Sequence, residues 1–399
     1  RKNILENIKY NALFVISSSF PYGEAFSSRA RNMIKLFNEC GYKVFVVAPD
    51  THKSTDCIEL ESFEYETHYV HDPKNFLSLS GIGTAKPYIK AIEELSKYVK
   101  FNLIISSAMV HVTDYLYEWS RENHVPYIME QCEWYDESTF KGGKFNPYYR
   151  EHVRLIEKKN KRVDGIIAIS SLFQKHYNLQ HVPTLRMPTI LDVPEIKYRT
   201  SVESKNFIRI VFAGSLGKGK EKFSDIIKAL KIVNAENIKI TLDIYGATRK
   251  QLLENLENES NILTDTEDFI NIFGRIPQEQ VEEKLRNADF SIFSRPIRQS
   301  SNAGFPTKLA ESMSVGTPVI TNNTGDISLY LHNGNNGFIA NGNSKESLLE
   351  IFYKITNMNS DDLMEMRKQA RNTAESSFSY EKYKNGLIEL IREAEERII

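Results

Sequence analysis

The sequence predicts an α/β protein built from two Rossmann-like domains in tandem, and three observations carry that prediction. Short apolar segments alternate with amphipathic stretches along nearly the whole chain. The apolar segments are hydrophobic on successive residues, which marks strands buried on both faces of a parallel sheet. The alternation stops around residues 180–206 and then restarts, and 399 residues hold two domains more comfortably than one.

The elements follow in order. ALFVISS reads as the first strand, RARNMIKLFNEC as the first helix and KVFVVA as the second strand. Gly41 sits where a glycine closes a helix. NLIISS, PYIME and GIIAIS supply further strands, with helical KPYIKAIEELSKYV and YYREHVRLIEKKNKR among them. HVPTLRMPTILDVPEIKYRTSVESKN has three prolines and no helical period, so it reads as a linker and a polar approach to the next domain. Then RIVFAGS, FSDIIKALKIV, KITLDIYG, RKQLLENLENE, NIFGRI, QEQVEEKLRNA, FSIFS, TKLAESMSV, PVITN and GFIA continue the alternation. YEKYKNGLIELIREAEERI reads as a long terminal helix. Right-handed crossovers make each half a Rossmann-like sheet, with ligands bound beyond the carboxyl ends of the strands, in a cleft where two domains face each other.

Composition narrows the function. Lys and Arg total 51 against 52 Asp and Glu, and this near-neutral balance argues against a dedicated nucleic-acid binder. With 41% hydrophobic and 26% charged residues the chain is not disordered. No run of 18 apolar residues predicts a membrane span, and RKNILENIKYNALFVISS lacks the pattern of a signal peptide. Cys40, Cys57 and Cys132 are too widely spaced for a disulfide framework or zinc site, and they read as small buried hydrophobes in a cytoplasmic protein.

Four segments have the residue types of a binding site. In AGFPTKLAESMSVGTPVI, residues 303–320, the chain crosses the polar loop RPIRQSSNAG and enters a helix near Thr307. Gly304 permits close backbone approach, and the helix start offers N–H groups to an anion. Lys308 in the first turn opposes the helix dipole, a cost that a phosphate offsets. Glu311, one turn on, suits a ribose diol; a solvated Lys–Glu pair is the plain alternative. VFAGSLGKGKEKF places Lys218, Lys220 and Lys222 on a strand-to-helix turn that suits a diphosphate, or forms a basic surface loop. In ISSSFPYGEAFSSRARN, Gly23 lets a ligand approach, and Arg29 and Arg31 lie in the first helical turns. In EQCEWYDES, Glu130, Glu133 and Trp134 follow a strand and suit a sugar, with carboxylates for hydroxyls and a ring for the apolar face. His111 follows another strand.

Read together, these segments resemble a family. AGSLGKGKEKFSDIIKAL, ITLDIYG, NIFGRIPQEQVEEKLRNADFSIF, GFPTKLAESMSVGTPVITNNTGDI and NGNNGFIANGN match, in order and spacing over residues 208–345, the donor domain of retaining glycosyltransferases of family 4, with the GT-B fold. The opening FPYGEAFSSRARNMIKLFNECGYKVFVVAP is similar in layout to the acceptor domain. The resemblance implies an acceptor domain over 1–190, a donor domain over 191–375 and a helix over 376–399 that returns to the first domain. It implies a nucleotide-diphosphate sugar of UDP or GDP type as substrate, a saccharide or lipid-linked hydroxyl acceptor, and neither metal nor cofactor. Lys220 or Lys222, with Lys308, then take the catalytic role of stabilising the leaving diphosphate. Gly23, Gly214, Ser215, Arg275, Gly304, Phe305, Pro306, Thr307 and Glu311 bind the donor, and Arg29, His111, Glu130, Glu133 and Trp134 the acceptor.

The chain departs from the family at Ser215, where an arginine is usual, at Ala303, where the first of two paired glutamates falls, and at Asp326, where Glu is usual. EQCEW stands in place of a family histidine. The competing readings are a GT-B sugar-nucleotide epimerase and a non-catalytic sugar-nucleotide-binding subunit. RLIEKKNKR is either a solvated helix face or a peripheral contact with anionic lipid.

Overall fold

Strands that are apolar on every residue find burial only where both faces of a sheet are covered, and the chain builds two such sheets. A computed structural model describes residues 8–21, 25–50, 64–71, 85–201, 207–216, 221–342 and 344–398. The chain divides into unit 1, Arg1–Ile190 with Ala303–Phe305 and Tyr380–Ile399, and unit 2, Leu191–Asn302 with Pro306–Ser379.

Unit 1 holds strands β1 Tyr10–Val15, β2 Tyr42–Pro49, β3 Tyr65–Val70, β4 Leu103–Ser107, β5 Tyr127–Gln131, β6 Gly165–Ala168 and β7 Thr184–Arg186. They pair in parallel in the order β3-β2-β1-β4-β5-β6-β7. Between them run helices α1 Ala25–Glu39, α2 Ala85–Ser96, α3 Thr113–Asn123, α4 Pro147–Arg154 and α5 Ser171–Asn178. Alternate residues Ala12 and Phe14 of β1 and Val44 and Val46 of β2 join Met33 and Phe37 of α1 in one core. Leu387, Leu390 and Ile391 of the C-terminal helix Lys384–Glu396 enter the same core. The fit is close: a Cβ on Gly165 would stand 3.0 Å from Leu390 Cδ1.

Unit 2 holds β8 Ile208–Ala213, β9 Ile240–Tyr245, β10 Ile270–Gly274, β11 Phe290–Ile292, β12 Val319–Asn322 and β13 Gly337–Ala340. The parallel order is β10-β9-β8-β11-β12-β13. Its helices are α6 Ser224–Val233, α7 Arg249–Leu256, α8 Gln278–Asn287, α9 Gln299–Ala303, α10 Thr307–Ser314, α11 Ile327–Tyr330, α12 Lys345–Thr356 and α13 Ser360–Ser377. Buried Arg371 of α13 donates to the carbonyls of Val193, Ile196 and Ser314, and buried Arg367 to those of Ala288 and Arg286. The two guanidiniums satisfy carbonyls that loops and helix ends leave open. In both sheets the strand order reverses beside the first strand, between β1 and β4 and between β8 and β11. Ligands of open α/β sheets bind at such points.

The structure corrects the sequence reading in four places. The proline-rich stretch contributes the edge strand β7, held to three residues between Pro183 and Pro188. The loop RPIRQSSNAG contains α9. YYREHVRLIEKKNKR is not one helix: α4 ends at Arg154, and a wider π turn, Leu155–Lys159, and a 3₁₀ turn, Asn160–Arg162, follow. The C-terminal segment that joins unit 1 begins at Tyr380 rather than at 376, because α13 runs to Ser377 and Phe378 stays in unit 2 against Tyr330.

Leu387 is fully buried between the C-terminal helix and the sheet. Leu387→Ala is expected to destabilise the protein by about 2–5 kcal/mol, as a cavity replaces the side chain. Denaturant unfolding followed by circular dichroism measures it.

Candidate functional site

At the reversal point of unit 2 the chain leaves β8 at Ala213 and turns through Gly214 and Ser215. A Cβ on Gly214 would lie 2.5 Å from Cε of Lys308. The glycine therefore lets the lysine stem cross the turn, with Nζ 5.3 Å from the centre of the Phe212 ring. Nζ donates to Oε1 of Glu221 at 2.9 Å. Glu221 is itself buried, and its Oε2 accepts the backbone N–H of Ser294 at 3.1 Å. One carboxylate thus joins three pieces: the approach to α6, the exit of β11 and the first turn of α10. The Lys222 N–H adds a bond to the Ser294 carbonyl at 2.8 Å, while the Lys222 side chain is exposed.

Glu311 stands one turn beyond Lys308 on α10, the spacing that puts two side chains on one face. It borders a small cavity together with Val211, Leu285 and Phe293. Loss of water raises its carboxyl above the ordinary range, and Lys308 pulls less strongly the other way. No side chain caps the start of α10; the Leu309 N–H bonds the Pro306 carbonyl at 3.0 Å, and the N–H groups of Thr307 and Lys308 are those that an anion could take.

The structure thus brings Gly214, Lys308 and Glu311 together, with Thr307 opening the helix and Gly304, Phe305 and Pro306 buried just before it. Ser215 is exposed at the turn. Arg275 is exposed past β10, which β9 separates from β8. Gly23 and Lys220 lie outside the described residues. The sequence reading passed over Glu221. The one signal for it was a carboxylate between two lysines in KGKEKF, where only the cations suggested a role.

In unit 1, Arg29 and Glu130 are both buried and form an ion pair with each other. Arg29 also donates to the carbonyls of Pro188 and of Met187, the latter at 2.9 Å. The pair ties α1 and β5 to the chain that follows β7, which corrects the expectation that these two charges face an acceptor. Cys132 Sγ lies 3.5 Å from Glu130 Oε1, and burial together with that carboxylate pushes its thiol well up. Burial pushes Cys40 up to about 12, so the surroundings of both thiols disfavour the thiolate form. Trp134 stacks on Phe173 at 5.5 Å and meets His176 edge-on, while Glu133 beside it is exposed. His111 meets the Tyr88 ring edge-on. Buried His152 accepts the Tyr135 N–H at 3.3 Å through Nε2.

Among the described residues, no three His, Cys, Asp or Glu side chains gather as metal ligands would, and no helix is long and apolar enough to cross a membrane.

With this geometry in hand, the chain can be set beside known proteins. Residues 195–376 match the family described as glycosyl transferases group 1. No curated protein sequence matches the chain. Among solved structures it is similar to sucrose-phosphate synthase from Thermosynechococcus elongatus, at 13% identity and a TM-score of 0.74, over 96% of this chain and 98% of that one. It is also similar to HepE from Anabaena, solved with UDP and glucose, at 14% identity and TM-score 0.68, over 96% of this chain and 100% of that one. A glycosyltransferase from Rickettsia africae aligns at 12% identity and TM-score 0.68, over 97% of this chain and 98% of that one. At these identities the likeness is one of fold, and the fold is GT-B.

Burial lowers the His152 imidazole from 6.5 to about 4. As pH falls, the unfolded chain takes up this proton first, near 6.5, and the folded chain only near 4. Stability is therefore lost across that window and levels off below it, by roughly 3 kcal/mol for this group. His152→Gln keeps an acceptor for Tyr135 and removes the titration. Its unfolding free energy is expected to fall less steeply than wild type between these pH values, as read by urea titrations at a series of pH values.

Proposed function

We propose, from the match of residues 195–376 to the family described as glycosyl transferases group 1, that the chain moves a sugar, with retention, from a UDP- or GDP-type nucleotide sugar to a hydroxyl acceptor. The observation that carries the proposal is Lys308, laid across Gly214 at the reversal point of the sheet, on a helix start with open N–H groups. These are the groups that a diphosphate needs.

The anomeric carbon–oxygen bond breaks and negative charge grows on the departing diphosphate. Lys308 and the N–H groups at the start of α10 are placed to meet that charge, and Lys220 or Lys222 is proposed to add a second cation. The acceptor oxygen bonds to the anomeric carbon on the face the diphosphate leaves, and its proton passes to a diphosphate oxygen. No protein nucleophile and no metal enters this route. Glu311 accepts hydrogen bonds from the ribose hydroxyls. On unit 1, Glu133, Trp134 and His111 are the proposed contacts of a saccharide or lipid-linked acceptor, in the assembly of a bacterial polysaccharide, glycolipid or glycoconjugate. Support comes from the family match, and from the fold shared with HepE, whose structure contains UDP and glucose. Ala303, without the carboxylate that the resemblance places there, favours a second reading, a subunit that binds a nucleotide sugar without turning it over.

A panel of nucleotide sugars decides between the two. Thermal shift identifies the donor, because a ligand of the folded state raises its stability. Release of free sugar from that donor, without acceptor, then demonstrates turnover, and a donor that binds but is never cleaved supports the second reading. Glu311→Ala is expected to weaken donor binding by about 1.5–3 kcal/mol, read by calorimetry. Lys308→Ala is expected to lower turnover ~10²-fold or more, with a smaller loss of affinity. Turnover is expected to survive a chelator; loss on chelation and recovery with manganese or magnesium would overturn the metal-free route.

A further inference from the structure

We propose that Glu221 is a positioning residue, a buried carboxylate clamp that holds the Lys308 ammonium in place above Gly214. The inference rests on the donor site proposed above and names what orders its cation.

A lysine in the first turn of a helix is repelled by the dipole, and its four-carbon stem has many rotamers. Left to itself the ammonium would swing into water. Three contacts hold it back: Gly214 leaves room for Cε, the Phe212 ring lies under Nζ, and Glu221 Oε1 accepts from Nζ at 2.9 Å. The first guides the stem, the second lies under the charged head, and the third gives that head a hydrogen-bonded anchor. Glu221 is suited to this because it cannot move. It is buried, its Oε2 is held by the Ser294 N–H at 3.1 Å, and its own carbonyl accepts Asn255 Nδ2 at 3.0 Å. The Lys308 side chain keeps 27% of its surface exposed against 4% for Glu221, so of the two partners the lysine is the one that solvent or a ligand can reach. A charge fixed before the reaction needs no reorganisation when the transition state forms.

A carboxylate this close also opposes an incoming anion, and that separates two roles. If Glu221 merely trims local charge, removing it tightens nucleotide binding and leaves turnover alone. If it positions Lys308, removing it lowers turnover, and only while Lys308 is present.

The experiment uses the full chain with Glu221→Gln, Glu221→Asp, Lys308→Met and the double variant Glu221→Gln/Lys308→Met. The first readout needs no ligand: the rate at which acetic anhydride acetylates Lys308, followed by mass spectrometry. Glu221→Gln is expected to raise that rate at least fivefold, with other lysines unchanged. If Gln destabilises the fold, Glu221→Asp, too short to reach both partners, gives the same readout. An unchanged rate in a folded variant overturns the clamp. The second readout is donor cleavage and nucleotide affinity. Glu221→Gln is expected to lower kcat about tenfold with affinity within threefold, and to cost less than twofold in the Lys308→Met background. An equal loss in both backgrounds overturns the positioning role. If no nucleotide sugar binds or is cleaved by wild type, the donor-site reading fails, and the labelling result still decides whether the clamp exists.

Discussion

Both sheets of this protein are parallel, and a parallel sheet has to be covered on both faces. Much of the architecture follows from that requirement. Each strand must be followed by a crossover, so the loops that leave the strands collect at the carboxyl edge. In unit 1 part of the cover comes from the far end of the sequence: Leu387, Leu390 and Ile391 fill the same core as Phe14, Val46 and Phe37. That unit is therefore complete only when the chain has passed through the whole of unit 2 and returned.

The same requirement leaves gaps at the reversal points, where adjacent crossovers diverge to opposite faces. In unit 2 the gap beside β8 holds the Lys308–Glu221 ion pair of the candidate site. The turn at Gly214 has no side chain, Lys308 occupies that space, and Glu221 anchors the lysine to Ser294. Each of the three choices depends on the others. A Cβ at 214 displaces the lysine, a neutral residue at 221 frees it, and a lysine elsewhere on α10 leaves Glu221 buried without its cation, at a cost of several kcal/mol.

Unit 1 uses buried charge differently. Arg29 and Glu130 neutralise each other inside the fold, and Arg29 also gathers the carbonyls of Met187 and Pro188, two neighbours that no regular pairing satisfies. Arg371 and Arg367 do the same for open carbonyls in unit 2. In each case the guanidinium supplies several donors in one plane, which a lysine does not.

The sequence by itself determined the architecture. Runs such as LFVI, FVVA, LIIS and GIIAI exclude a half-exposed sheet, and the glycines and prolines punctuate them at the right intervals. The expectation of an anion at the start of α10 likewise rested on the local signals Gly304, Pro306 and Lys308. Partners distant in sequence were decided only by the tertiary structure. Glu221 and Lys308 are 87 residues apart and Arg29 and Glu130 are 101 apart, and nothing local separates a carboxylate that will be buried against a cation from one that stays in water. Exposed Arg275 and buried Arg29 are alike as letters in the sequence. What distinguishes them is the desolvation that neighbouring elements impose when they pack, and that energy exists only once the chain has folded.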